Sequence, residues 1–94
     1  MFKELNPLLH SQLRLSIVSF LVSNGTTDFN ELKEVTKATS GNLSVQIKKL
    51  EAANYLKVHK GYKNNYQHTE VTITREGIDA FEEYVEAIKE YISK

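Results

Sequence analysis

Residues 28–33, Asp28-Phe29-Asn30-Glu31-Leu32-Lys33, and residues 41–50, Gly41-Asn42-Leu43-Ser44-Val45-Gln46-Ile47-Lys48-Lys49-Leu50, decide how this chain folds. In the first stretch Asp28 and Glu31 have the spacing of a helix N-cap and its reciprocal partner, and Phe29, Leu32 and Val35 follow at offsets of three. A short helix from about 28 to 37 is predicted. In the second, Leu43, Ile47 and Leu50 recur at steps of four and three behind Thr39 or Ser40 as a cap, predicting a helix from Gly41 to Ala53 closed near Asn54. Two helices of this length joined by a few turn-forming residues are the helix-turn-helix arrangement.

Working outward, Leu9, Leu13, Ile17, Phe20 and Leu21 repeat at helical spacing between Leu8 and Ser23, and Leu15, Val18 and Val22 widen the stripe until little polar face remains. A helix buried on most sides is expected there, stopped by Asn24-Gly25. Beyond the second stretch the period changes. Tyr55, Leu56 and Val58 precede a polar segment from 61 to 68, after which Val71 and Ile73 alternate with Thr69, Thr72 and Thr74. This predicts two strands around a projecting loop of about eight residues, a flap spanning about 55–74. Thr74 then caps a helix of about 75–93, with Ile78, Phe81, Val85, Ile88 and Ile92 forming a seam for another helix.

The 94 residues make one domain with one modest core. With no Cys there are no disulfides, no thiolate chemistry and no Cys-based zinc site, which fits a reducing compartment, and the cytoplasm is the expected location. The apolar run from Ile17 to Val22 is far too short to cross a bilayer, and the start Met-Phe-Lys-Glu lacks a signal-peptide layout. His10, His59 and His68 are too scattered to hold a metal. No nucleophile elbow, phosphate loop or paired-carboxylate motif is present, so neither an enzyme nor a cofactor is expected.

The order helix, helix, helix, strand, loop, strand, helix is that of an α+β, mostly helical winged helix-turn-helix domain. The sequence resembles the small winged-helix transcriptional regulators related to the MarR and ArsR groups. The resemblance runs through Asn6-Pro7-Leu8-Leu9-His10-Ser11, Leu13-Arg14-Leu15, Asp28 to Lys33, Gly41-Asn42-Leu43-Ser44, Ile47-Lys48-Lys49-Leu50-Glu51, Tyr55-Leu56 and Thr72-Ile73-Thr74-Arg75-Glu76-Gly77. It implies a dimer that places its third helix in the DNA major groove and its wing on the flanking backbone. Two departures stand out: Asn54 where family members commonly carry Gly, and a wing with two Lys, two Tyr and no Arg, which argues against Arg insertion into the minor groove.

On a helical wheel the core set Leu43, Ile47 and Leu50 points Gly41, Val45 and Lys48 outward, with Asn42, Ser44 and Lys49 on the flanks. Asn42, Ser44 and Val45 are therefore base-reading candidates, and Gln46, nearer the core, is a further one. Ser40, Lys48, Lys49, Lys60 and Lys63 complete the expected double-stranded DNA surface, and Lys57 is another residue within reach of phosphate. Tyr62 and Tyr66 are expected either to stack on the sugar-phosphate edge or to pack back under the wing. A homodimer surface is expected from Leu5, Leu9, Phe81, Tyr84, Val85, Ile88, Tyr91 and Ile92, with a pseudo-palindromic operator as its consequence. The rival reading is a winged-helix adaptor that binds protein through the same face. A core of this size leaves little space for a drug-sized effector.

Net charge is zero, with 12 basic and 12 acidic residues, but the charge is segregated. Residues 40 to 68 carry five basic groups against one acidic, and residues 69 to 94 carry three against seven. A positive recognition helix and wing joined to a negative last helix would orient the domain on a polyanion.

Overall fold

In the computed structural model, which describes residues 2–93, the element order is α1 (Gln12–Asn24), β1 (Thr26–Asp28), α2 (Phe29–Thr36), α3 (Ser40–Ala52), β2 (Leu56–Lys63), β3 (Tyr66–Ile73) and α4 (Arg75–Ile92). The α+β winged-helix architecture is as the sequence predicts. Each helix opens on the side-chain oxygen of a residue in extended conformation: Ser11, Asp28, Thr39 and Thr74 accept from the backbone N–H three residues on. Left-handed residues close them where the chain must turn, at Gly25 (φ 79°), Lys37 (φ 59°) and Asn54 (φ 64°). Asn54 thus serves in the place of Gly, and its side-chain amide donates to Glu76 at 2.6 Å.

Leu9, Ile17, Val18, Leu21, Leu32, Leu43, Leu50 and Val71 have no solvent exposure and form the centre of the core. Each helical periodicity therefore faces one common interior. Among the described residues no buried side-chain polar atom lacks a partner.

Four expectations require correction. The first helix begins at Gln12 and not Leu8, because Asn6 folds the preceding residues into a separate turn: its Oδ1 accepts from the N–H groups of Leu8 and Leu9 at 2.9 and 3.3 Å. Glu31 does not reach back to the Asp28 N–H; its carboxylate accepts from the hydroxyl of buried Thr27 instead. A third strand, β1, lies beside β3, giving the antiparallel order β1-β3-β2 with Thr27 opposite Val71. Three residues are too few for an alternating pattern to be read from sequence.

The wing is the largest correction. Its strands continue through the segment read as a loop, pairing Leu56 with Ile73 at the base and Lys63 with Tyr66 at the tip. The connection is only Asn64-Asn65, both left-handed (φ 52° and 68°), the conformation of a two-residue hairpin turn whose twist matches the strands. Asn tolerates this region at little steric cost because its short polar side chain bonds locally. The domain is elongated, with principal extents of 53 × 25 × 21 Å, and its radius of gyration of 14.2 Å exceeds the roughly 12 Å of a compact chain this long.

Candidate nucleic-acid interface

The position of α3 is set by its buried edge. Leu43 and Leu50 are fully enclosed and Ile47 nearly so, leaving the opposite face in solvent. Ser40, Gly41, Asn42, Val45, Lys48 and Lys49 are exposed there, Ser44 is half-buried, and Val45 retains 49% of its accessible surface. The Thr39 hydroxyl caps the N-terminus by accepting from the Asn42 N–H at 3.1 Å, holding the first turn where Asn42 projects.

A cleft of about 210 Å³ separates α3 from the wing. Phe29, Ile47 and Val58 give it an apolar floor, while Ser44, Lys48, Glu51, Lys60 and Thr69 supply its polar lining. Lys60, Tyr62, Gln67 and Thr69 share one face of the hairpin; Lys57, Lys63 and Tyr66 share the other. Lys60 and Lys63 are both exposed. Tyr62 and Tyr66 keep 82% and 77% of their accessible surface, so neither packs back under the wing. They lie on opposite faces of its tip.

Among the described residues the ion pairs are Arg75–Asp79 at 3.4 Å and Lys89–Glu86 at 3.0 Å, both within α4. The lysines of α3 and the wing thus have no carboxylate partner there, although Glu51 shares the cleft with Lys48 and Lys60. The acidic side chains gather elsewhere: Asp79, Glu82, Glu83 and Glu86 line one groove of α4 against Lys3 and Glu4. No group of three His, Asp or Glu among the described residues could hold a metal, and no described helix is long and apolar enough to cross a membrane.

Gln46 does not face outward as a free side chain. It is half-buried, its Oε1 accepts from Arg14 Nη1 at 2.6 Å, and its Nε2 donates to Asn42 Oδ1 at 2.9 Å. Arg14 also donates through Nε to the Leu8 carbonyl at 2.6 Å. Sequence reasoning gave Arg14 no role at the site, yet a signal was present: it is the single charged residue between Gln12 and Asn24, flanked by Leu13 and Leu15 on the helix. A charge so placed must find partners.

The surface expected for self-association divides in two. Leu9 is wholly buried, and Tyr84, at 7% exposure, bonds through its hydroxyl to His10 Nδ1 at 2.9 Å, so both belong to the domain's own core and not to an exposed surface. Leu5, Phe81, Val85 and Ile88 are half-buried, and all but Val85 pack on that core. Only Tyr91 (43%) and Ile92 (75%) stand out, joined by Phe2 (64%), whose ring lies 4.8 Å from that of Tyr91. The arm is fastened there, the Tyr91 hydroxyl donating to the Lys3 carbonyl at 2.8 Å and the Lys3 N–H to Glu90 at 3.0 Å.

Comparison with known proteins agrees with this architecture. Residues 13–92 match the family described as Winged helix DNA-binding domain. An uncharacterised protein of Methanocaldococcus jannaschii is 32% identical over 78 residues, covering 83% of this chain and 85% of its own length. The structure of a transcriptional regulator homologue from Pyrococcus horikoshii superposes with a TM-score of 0.84 at 28% identity, over 90% of this chain and 84% of that one. The DNA-bound structure of overoxidized AbfR shares the fold, with a TM-score of 0.74 at 20% identity over 86% of this chain and 59% of that one. These matches uphold the resemblance to small winged-helix regulators, and with the family match spanning most of its length the chain belongs to the winged-helix DNA-binding domain family.

Proposed function

We propose that this protein is a sequence-specific DNA-binding transcriptional regulator that acts as a homodimer, with α3 in the major groove and the wing on the flanking backbone. The observation that carries the reading is the exposed face of α3, small, polar and basic, beside a hairpin whose lysines have no carboxylate partner among the described residues. Lys48, Lys49, Lys60 and Lys63 contact phosphates and supply affinity without sequence information. Asn42, Ser44 and Val45 meet base edges, and Ser40 lies at the helix N-terminus, where backbone N–H groups favour phosphate. The regulator homologue from Pyrococcus horikoshii supports the regulatory role, and the DNA-bound AbfR structure supports DNA as a partner of this fold.

The dimer is built on the end of α4, where Phe2, Tyr91 and Ile92 leave apolar surface in water and Phe81, Val85 and Ile88 are half covered. A two-fold axis there sets two α3 helices roughly 34 Å apart, one DNA turn, and calls for a pseudo-palindromic operator. The protein acts in the cytoplasm, where its DNA is, and performs no catalysis.

Duplex binding over a salt series tests the reading. Affinity falls steeply as salt rises, and Lys48→Ala or Lys60→Ala each lowers the slope of log affinity against log salt by about 1 while weakening all sequences alike. Absent or salt-insensitive binding to every duplex would sink the proposal and leave the protein-binding adaptor. For the dimer, sedimentation shows a species of twice the chain mass that Ile92→Asp converts to monomer; a wild-type monomer at all micromolar concentrations removes the palindrome.

A further inference from the structure

We infer that Gly41 is a positioning residue for DNA recognition: with no side chain at the head of the outward ridge of α3, the backbone of the first turn can approach the floor of the major groove, and the short side chains beside it reach base edges. The inference rests on the reading of α3 as the base-contacting helix.

Glycine lowers stability wherever another residue would fit, because it leaves the unfolded chain more freedom to lose, so a glycine inside a helix calls for a reason. Gly25 has one in its left-handed backbone (φ 79°), and Gly77 has one in the Tyr55 carbonyl that presses on it. Gly41 has neither. It lies within the helix Ser40–Ala52 without a positive φ, and a β-carbon built there would find, among the described residues, no atom within 4 Å beyond its own helix backbone and chain neighbours. Nothing inside the domain asks for a glycine at this position. The space it leaves is on the outside.

The residues around that space point to its use. Gly41, Val45 and Lys48 follow one another at steps of four and three, all exposed, and form the outward ridge of α3. Along the ridge the side chains lengthen, from none, through a short apolar one, to a long cation. It is a taper with its thin end at the helix N-terminus. An α-helix with its side chains is about 10–12 Å across and the major groove about 12 Å wide, so the helix fills the groove and its leading ridge sets how deep it goes. A taper of this sense puts the first turn deepest, the end from which a recognition helix meets base edges, and leaves Lys48 to reach back toward phosphate. Asn42 and Ser44, on the flanks of the ridge, carry short side chains that touch a base only from backbone already close to it. A methyl group at position 41 holds the turn off by contact, and a longer side chain holds it off further.

Two properties move in opposite directions when Gly41 is replaced. A duplex selected by the wild type from a random pool serves as the specific site and a scrambled duplex as the non-specific one; anisotropy titrations give the ratio of the two affinities, and urea denaturation of the free protein gives stability. Gly41→Ala raises the folding equilibrium constant about two- to fivefold, because Ala adopts this backbone without strain. It lowers the affinity ratio about tenfold, the worth of one base contact. Gly41→Leu, also a good helix former, stays at least as stable as the wild type and lowers the ratio further. Binding to the scrambled duplex stays within about twofold for both variants, because contacts from lysines to phosphates do not require the deep position. A fall in stability for Gly41→Ala would make the glycine a structural one and overturns the inference, as does a ratio unchanged in both variants or a loss equal on the two duplexes. A wild type that selects no sequence from the pool overturns base reading by α3, and the role of Gly41 with it.

Discussion

The two ends of the wing are made of one hairpin and behave as different materials. At the base, Leu56 and Val71 are sealed in the core, and Tyr55 is held from three sides: its hydroxyl accepts from Asn6 Nδ2 at 2.9 Å, its carbonyl accepts from the Thr74 N–H at 3.1 Å, and Gly77 of α4 presses on that same carbonyl. At the tip, Tyr62 and Tyr66 stand in solvent on opposite faces, and two left-handed asparagines are the turn that closes the strands. The base fixes the direction in which the hairpin leaves the domain. The tip has surface to offer and little to lose, which is the division of labour expected where a rigid scaffold presents a contact loop.

Gly77→Ala should break the base most severely. A methyl group there would overlap the Tyr55 carbonyl oxygen and lie 2.8 Å from the Ile73 side chain, and the oxygen belongs to backbone that cannot give way without moving the hairpin. We expect a loss of about 3 kcal/mol or more by urea denaturation, well above the roughly 1 kcal/mol that helix propensity returns. Next comes Leu56→Ala, which empties a site with 1% exposure and should cost about 2–4 kcal/mol in the same assay. If either variant matched the wild type, the base would not be the anchor described.

At the tip the effects are smaller and of another kind. Replacing Asn64 and Asn65 together by Ala leaves the turn in left-handed backbone without the polar side chains that favour it there and should cost about 1–2 kcal/mol, with amide exchange rising in residues 61–68 before the core opens. Tyr62→Ala with Tyr66→Ala should leave stability within about 0.5 kcal/mol, since neither ring packs on the fold. The same pair should weaken duplex binding measurably by fluorescence anisotropy. Unchanged binding would show that the tip, though free, does not touch DNA.

Much of this contrast was legible in the chain and part was not, for reasons that differ by residue. The helices show because three-to-four spacing and capping residues are local: Asp28, Thr39 and Thr74 cap what their positions announce. The tip was misread because Gly61, Asn64 and Asn65 amid polar residues look like loop, whereas cross-strand pairing extends strands through sequence with no apolar alternation to mark it. On α4, Tyr84 and Tyr91 look equivalent, yet His10 claims one hydroxyl inside the domain and the Lys3 carbonyl accepts from the other at its edge.

The sequence by itself determined the helix-turn-helix, the outward set on α3 and the segregation of charge, because periodicity, caps and charge are properties of neighbours along the chain. Tertiary structure alone decided that β1 completes the sheet, that Leu9 and Tyr84 are interior, and that Arg14 bonds Gln46 across 32 residues. Those facts depend on groups 32 to 74 residues apart reaching hydrogen-bond distance, and no local pattern records which distant donor will meet which acceptor.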